Sequence, residues 1–167
     1  MKNSLGETNP FGSSGRIRPT ILCVDDDPEV TRSIEMVLSN YDVNVVRDCC
    51  GRLGVWDVFQ TNPDVVITDL RMPDGDGQLL LEQVKSNTRT AHIPMIVLTG
   101  QRDSQLPGRM KHLGASGFLQ KPVPIEKLLA EIRRFISLRE LDWDAVGPHP
   151  AACTSSCRAT AVEAEHD

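Results

Sequence analysis

Short apolar runs alternate along the chain with stretches in which apolar residues recur every three or four positions. Most of the runs are rich in β-branched side chains, which favours strands buried on both faces of a parallel sheet. Five strands are predicted, at residues 20–24, 43–46, 65–67, 95–98 and 117–119. The alternation of strands and helices predicts an α/β fold, a doubly wound five-stranded parallel sheet with right-handed crossovers.

Helices are predicted where the apolar residues follow the 3.6-residue period. The first comes after Asp27 and Pro28, which suit the N-cap and the first turn of a helix, and ends near Asn40. Four further helices are predicted at residues 53–60, 79–87, 104–113 and 124–140. The helix at 104–113 contains Pro107-Gly108, a poor helical pair, so we expect that segment to be short, bent or mobile.

Length and composition predict one domain with two extensions. The chain has 167 residues, of which 40% are hydrophobic, and this is enough for one full core. Residues 1–17 and 142–167 lack periodicity and are rich in small and polar residues. We therefore expect a flexible leader and a disordered tail on either side of a stand-alone domain at 18–141.

Charge and cysteine content exclude several functional classes. No run approaches the roughly 18 apolar residues of a membrane span, and the amino end lacks the apolar centre of a signal peptide, which predicts a cytoplasmic protein without membrane insertion. The net charge of −5 without a basic block argues against direct binding of nucleic acid. The cysteines are expected to be reduced thiols, with Cys23 in the core. Cys153 and Cys157 lack a fourth zinc ligand even if His149 joins them.

Polar side chains follow four of the predicted strands. Asp25 and Asp26 follow the first strand, Asp69 the third and Thr99 the fourth, and Lys121 comes shortly after the fifth. The carboxyl ends of parallel strands lie at one edge of a sheet, where open α/β sheets bind ligands, so we expect these residues in one crevice. Each of them alone is more typical of a loop cap, a strand end or a solvated charge, but together they predict a functional site.

Clustered carboxylates at this edge need cations. Two unit charges about 4 Å apart repel by roughly 4 kcal/mol in a protein-like dielectric. Lys121 supplies one positive charge, and the all-oxygen donor set favours Mg²⁺, with Mn²⁺ as a substitute. A carboxylate beside a metal ion, an ammonium and a hydroxyl is equipped to accept a phosphoryl group, because these groups take up charge on phosphoryl oxygens. Asp69 is the predicted acceptor.

A longer ordered set of motifs contains these residues: Asp25-Asp26, Asp69, Met72-Pro73, Asp76-Gly77, Thr99, Gly114-Ala115, Phe118 and Lys121-Pro122. From about Arg18 to Leu141 the chain resembles the receiver domain of two-component response regulators. The resemblance implies a flavodoxin-like fold and transfer of a phosphoryl group to Asp69 from the phosphohistidine of a histidine kinase or a histidine phosphotransfer protein, as in a phosphorelay. It also implies a cis peptide bond at Lys121-Pro122.

The resemblance implies a role for each residue of the site. The implied metal ligands are Asp25, Asp26, Asp69 and the backbone carbonyl of Arg71. Asp25 would act largely through water. Thr99 and Lys121 would bind the phosphoryl group. Thr99 and Phe118 would form a switch, in which Thr99 moves towards the phosphoryl oxygens and Phe118 turns inward.

Two further positions are implied to tune the lifetime of the phosphoryl group. Arg71 lies two residues beyond Asp69, and Gln101 lies two residues beyond Thr99. Arg71 is long and cationic. We therefore hypothesise that it lies over the phosphoryl group and hinders the attacking water.

The implied protein is a signalling protein, with no turnover reaction beyond its own phosphorylation and dephosphorylation. Its signal would pass by binding a downstream protein, and it could form a homodimer through its last strand and helix. Pro107-Gly108 interrupts the helix next to that face, which leaves open a phosphorylation-independent adaptor with the same fold. A Mg²⁺-dependent aspartyl phosphatase is a second alternative, although Arg71 stands where its general acid would be.

Overall fold

A computed structural model describes residues 18–72 and 77–142 of the chain. The predicted leader at 1–17 and all but the first residue of the predicted tail lie outside these ranges, as do Pro73 and Asp76 of the motif set. Within the described ranges, five strands alternate with five helices. The predicted α/β alternation is confirmed.

The strands form one parallel sheet. They are β1 (Thr20–Val24), β2 (Asn44–Asp48), β3 (Val65–Asp69), β4 (Met95–Thr99) and β5 (Gly117–Gln120). Their order in the sheet is β2-β1-β3-β4-β5, so the carboxyl ends of all five lie at one edge. β2 is longer than predicted, because Arg47 and Asp48 continue the pairing with Cys23 and Val24 of β1.

The helices cover both faces of the sheet. They are α1 (Pro28–Leu38), α2 (Gly51–Thr61), α3 (Gly77–Ser86), α4 (Leu106–His112) and α5 (Ile125–Ile132). Asp27 caps α1 as predicted, because its side chain accepts a hydrogen bond from the Glu29 N–H. None of the helices in the ranges given above is long and apolar enough to cross a bilayer.

The helices α1 to α4 match their predicted bounds to within two residues, whereas α5 does not. α4 is short but helical, because it begins at Leu106 and so places Pro107 in its first turn, where the missing N–H breaks no intrahelical bond. α5 ends at Ile132, so its predicted extension to residue 140 is wrong. The apolar spacing continues beyond Ile132 because Phe135 and Ile136 still pack against the core, although from a turn.

Two apolar clusters lie on opposite faces of the sheet, because alternate residues of a strand point to opposite faces. The cluster under α2, α3 and α4 includes Leu22, Val24, Val66 and Val97. The cluster under α1 and α5 includes Ile21, Cys23, Ile67 and Leu98, so the prediction that Cys23 is a core residue is confirmed. Burial raises the pKa of the Cys23 thiol to about 12, so it stays protonated at neutral pH. The rigid sheet between the clusters fixes the relative positions of the strand ends.

Candidate functional site

The carboxyl edge of the sheet brings together three of the predicted site residues in direct contact. The Lys121 Nζ lies 2.5 Å from Asp25 Oδ2 and 2.9 Å from Asp69 Oδ2. β1 and β3 are neighbours in the sheet and carry the two carboxylates, and Lys121 follows β5 across β4. The backbone N–H of Lys121 donates to the Thr99 carbonyl at 2.8 Å, which holds this loop against the end of β4. The cis bond at Lys121-Pro122 is also present, as predicted.

The three consecutive aspartates after β1 have different surroundings. Asp25 is 3% exposed, and its Oδ1 accepts a hydrogen bond from the Asp27 N–H at 3.1 Å. Asp26 is exposed at the crevice. Asp27 turns away to cap α1. The sequence Asp-Asp-Asp-Pro therefore supplies one buried carboxylate, one exposed carboxylate and one helix cap.

Asp69 ends β3 with both carboxylate oxygens engaged. Its Oδ1 accepts hydrogen bonds from the backbone N–H groups of Leu70 at 2.5 Å and Arg71 at 3.4 Å. Its Oδ2 accepts from Lys121. The Arg71 residue itself is exposed beside the carboxylate. This arrangement fixes the rotation of the carboxylate while leaving its side chain partly accessible.

The charges of the site depend on one another. Burial raises the pKa of Asp25, and the nearby Asp69 charge adds to this effect, while hydrogen bonds from Lys121 and the Asp27 N–H oppose it. Burial alone would lower the pKa of Lys121, but the hydrogen bonds and charges of Asp25 and Asp69 outweigh it and raise that pKa. Lys121 therefore stays cationic at neutral pH and offsets part of the repulsion between the two carboxylates.

The donor set fits a small hard cation. Asp25, Asp26 and Asp69 each offer one carboxylate oxygen, and these atoms lie within 4.8 Å of one another. Such all-oxygen, carboxylate-rich sites suit Mg²⁺, which keeps several of its waters and binds through few protein ligands. Within the described part of the chain, Lys121 forms ion pairs with Asp25 and Asp69 and not with Asp26, and the exposure of Asp26 gives an ion access from solvent.

Three other predicted residues, Thr99, Gln101 and Phe118, make no hydrogen bond to these carboxylates within the described part of the chain. Thr99 is 1% exposed, and its Oγ1 accepts a hydrogen bond from the Gln101 N–H at 3.2 Å. Phe118 is half-buried and packs against the first apolar cluster. Phe118, Gln101 and Lys121 also line an open cavity of about 610 Å³ beside Pro107. The structure therefore separates a charged crevice from a neighbouring cavity, with Lys121 at the border.

Two residues around the Asp69 backbone were not predicted to have a part in the site's geometry. The buried Thr68 hydroxyl donates to the Asp69 carbonyl at 2.8 Å. Gly77, the first residue of α3, donates its N–H to the Leu70 carbonyl at 3.0 Å. A Cβ on Gly77 would collide with the Asp69 carbonyl oxygen. In the sequence, Gly77 is part of the Asp76-Gly77 motif, and Thr68 lies just beyond the strand predicted at 65–67.

A second carboxyl pair lies at the same edge and was also missed. The Asp48 carbonyl accepts the Asp25 N–H at 3.1 Å, so the end of β2 adjoins the crevice. Burial raises the pKa of Asp48 to about 7, and a hydrogen bond with Asp57 of α2 and the charge of Asp57 add to the shift. Nothing in the spacing of Asp48 and Asp57 along the sequence predicts this contact, which forms only when α2 packs on the sheet.

Known proteins are similar to this chain in both sequence and fold. The family model described as the response regulator receiver domain matches residues 21–133. Among solved structures, a putative response regulator from Chloroflexus aurantiacus aligns with a TM-score of 0.67 and 28% identity, over 71% of this chain and 98% of that one. The chemotaxis protein CheY4 of Vibrio cholerae aligns with a TM-score of 0.67 and 25% identity, over 72% of this chain and 100% of that one.

Curated relatives share the same region. The DNA-binding dual master transcriptional regulator RpaA of Synechocystis is 34% identical, over 71% of this chain and 49% of its own length. The C4-dicarboxylate transport transcriptional regulatory protein DctD of Pseudomonas aeruginosa is 35% identical, over 72% of this chain and 26% of its own length. The chain therefore spans about half or less of the length of these relatives, and the likeness is to one region of each.

Proposed function

The chain belongs to the response regulator receiver domain family of two-component systems, and from this premise we propose that Asp69 is its phosphoacceptor. The donor is the phosphohistidine of a histidine kinase or a histidine phosphotransfer protein. The observation that carries the proposal is the contact of one ammonium, that of Lys121, with the carboxylates of Asp25 and Asp69, at the sheet edge where Asp26 also lies.

The proposed step is a transfer between two nucleophiles. A carboxylate oxygen of Asp69 attacks the phosphorus, the phosphorus–nitrogen bond of the phosphohistidine breaks, and the imidazole leaves with the electron pair of that bond. The product on Asp69 is an acyl phosphate. The Lys121 ammonium already contacts the acceptor carboxylate and is placed to attract a phosphoryl oxygen as the negative charge moves onto this residue.

Asp25, Asp26 and Asp69 are proposed to hold Mg²⁺, or Mn²⁺ in its place, together with the backbone carbonyl of Arg71. A bound divalent ion would neutralise charge on the phosphoryl oxygens during transfer. The burial of Asp25, which raises its pKa, indicates that its negative charge gains from a nearby cation. Because Asp25 already accepts from Lys121 and from the Asp27 N–H, it would reach the ion largely through water.

Thr99 and Phe118 are proposed to carry the change from the acceptor to the surface. The Thr99 hydroxyl accepts a hydrogen bond from the Gln101 N–H, which leaves its own proton able to be donated to a phosphoryl oxygen on Asp69. A shift of Thr99 would alter the end of β4, which pairs with β5 through Thr99 and Gln120. The cavity beside Phe118 offers room for its ring to reorient. Arg71 and Gln101 are proposed to tune how long the phosphoryl group persists.

The proposed output is binding of a downstream protein, or of a second copy of the chain, through β5 and α5. β5 is the last strand of the sheet, so one of its edges faces away from the other strands. The proposal includes a cytoplasmic location. Size-exclusion chromatography with light scattering, before and after phosphorylation, will show whether the second copy is the partner.

Labelling with a small phosphodonor tests the function. The full chain is incubated with acetyl phosphate and Mg²⁺, and the acyl phosphate is detected by intact mass and by its lability at alkaline pH. Wild type is expected to gain one phosphoryl group, and the Asp69→Asn variant none. Asp64→Asn is a matched control, because Asp64 precedes the same strand at the opposite edge of the sheet and should leave labelling unchanged.

Other outcomes discriminate the alternatives. Equal labelling of wild type and Asp69→Asn overturns the assignment of the acceptor. Partner binding that is the same for wild type and Asp69→Asn, with or without phosphodonor, favours the adaptor. Sustained release of phosphate from phosphate esters, lost in Asp69→Asn, favours the phosphatase.

A further inference from the structure

We propose that Thr68 is a positioning residue for the acceptor: its hydroxyl holds the peptide group between Asp69 and Leu70 and thereby aims the Asp69 carboxylate. The inference rests on the proposed function in so far as Asp69 is the residue phosphorylated. Thr68 is not one of the residues proposed to bind the metal or the phosphoryl group, and we infer that it acts through the backbone.

Thr68 has little choice of partner. It is fully buried in β3, paired with Val24 of β1 on one side and Val97 of β4 on the other. A buried hydroxyl without a hydrogen bond is costly, and the Thr68 hydroxyl meets this need by donating to the Asp69 carbonyl at 2.8 Å. Strand alternation sends the side chains of Thr68 and Asp69 to opposite faces, so their coupling runs through the main chain.

The same peptide group contacts the carboxylate from its other end. Its carbonyl belongs to Asp69 and its N–H to Leu70, and that N–H donates to Asp69 Oδ1. Because a peptide group is planar, fixing the direction of its carbonyl also fixes the direction of its N–H. The Thr68 hydroxyl therefore sets the donor to Oδ1, while Lys121 binds Oδ2.

Gly77 confines this peptide group from the side of α3. A Cβ on Gly77 would collide with the Asp69 carbonyl oxygen and would lie 3.0 Å from the Thr68 Oγ1. The Gly77 N–H also holds the next carbonyl, that of Leu70. The Asp69 carbonyl is thus held between a hydroxyl and a glycine backbone, with no space for a side chain to enter.

Such fixation matters for transfer, because the rate of attack depends on how closely the nucleophile is held in its reactive orientation. Loss of the hydroxyl in Thr68→Val would let the peptide group tilt and would weaken the hold on Oδ1. One net hydrogen bond corresponds to a rate change of about fivefold. We expect Thr68→Val to slow labelling by about that factor, and Thr68→Ser, which keeps the hydroxyl, to restore it.

The test compares labelling rate constants for full-length variants with acetyl phosphate at saturating Mg²⁺. Thr90→Val is the matched control, because Thr90 is also buried and its hydroxyl also donates to a backbone carbonyl, that of Val84, at 2.8 Å. Urea unfolding of each variant measures the structural effect separately. If Thr68→Val does not fold, Thr68→Ala replaces it against the same Thr68→Ser reference.

Slower labelling in Thr68→Val, with recovery in Thr68→Ser and no slowing in Thr90→Val, supports the inference. Wild-type rates in Thr68→Val, or equal slowing in Thr90→Val, overturn it while leaving the proposed function intact. No labelling of wild type itself overturns the proposed function and this inference with it. If wild type is labelled and Asp69→Asn is not, the proposed function holds, and the Thr68 variants then test the positioning role alone.

Discussion

Replacing Gly77 with alanine puts a methyl group against the backbone of β3 at Asp69, the proposed acceptor. A Cβ at this position would lie 2.9 Å from the Asp69 carbonyl carbon and closer still to the carbonyl oxygen. Carbon atoms in contact prefer at least about 3.5 Å, so the carbon contact alone requires the start of α3 and the end of β3 to separate by about 0.6 Å, and the closer oxygen contact requires a larger shift. Overpacking of this kind costs about 1–3 kcal/mol. The weakened bond from the Gly77 N–H to the Leu70 carbonyl adds about 1 kcal/mol.

The gain in helix propensity from glycine to alanine offsets less than about 1 kcal/mol of this cost, because Gly77 is the first residue of α3 and not an interior one. We therefore expect Gly77→Ala to lower the free energy of unfolding by about 2 kcal/mol, measured by urea denaturation. Labelling should slow as well, since the displaced peptide group is the one that orients Asp69. The matched control is Gly108→Ala in α4, where a Cβ would meet no atom within 4 Å. That variant should gain about 0.5–1 kcal/mol and label normally.

Two outcomes for Gly77→Ala would contradict this prediction. If Gly77→Ala unfolds at the same urea concentration as Gly108→Ala, the close approach of α3 to the Asp69 carbonyl does not exist in solution. If Gly77→Ala is destabilised as expected but labels at the wild-type rate, the approach exists but has no part in orienting the acceptor.

Three further outcomes follow from the charges at this edge. In metal-free buffer, Lys121→Met should lower the free energy of unfolding by about 2 kcal/mol, because the carboxylates of Asp25 and Asp69 then repel each other without compensation. Added Mg²⁺ should recover part of this loss, and a variant as stable as wild type contradicts the ion pairs. Asp48→Asn should raise the urea midpoint by an amount that grows between pH 4 and pH 7. The reason is that the folded-state pKa of Asp48 is raised to about 7, so the wild type loses stability as the pH rises through that window. A gain that does not depend on pH contradicts the buried pair with Asp57. Arg71→Ala should lose its phosphoryl group roughly fivefold faster if the side chain shields it from water, and an unchanged or slower loss removes that hypothesis.

The sequence predicted the convergence of Asp25, Asp69 and Lys121 because topology alone requires it. Parallel strands place their carboxyl ends at one edge, whatever the details of packing. The β-branched runs identified those strands, and the aspartates come at their ends. This part of the site needed no knowledge of side-chain conformation.

Other features depend on geometry that the residue pattern does not contain. The bond from Thr68 to the Asp69 carbonyl depends on one side-chain rotation and one peptide orientation. The Asp48 and Asp57 carboxyl groups meet only through the packing of α2 on the sheet. The end of α5 at Ile132 was missed because the same apolar spacing serves a helix and the turn that follows it.

The bond between Lys121 and Asp25 joins residues 96 positions apart, and the bond to Asp69 spans 52. Such long-range contacts form late, since closing a large loop precedes any reward from it. A chain emerging from the ribosome would therefore carry Asp69, the proposed acceptor, well before it carries Lys121, which completes the pocket. The site is complete only after β5 and Lys121 have been synthesised, so a partly synthesised chain would lack the ammonium that contacts Asp69.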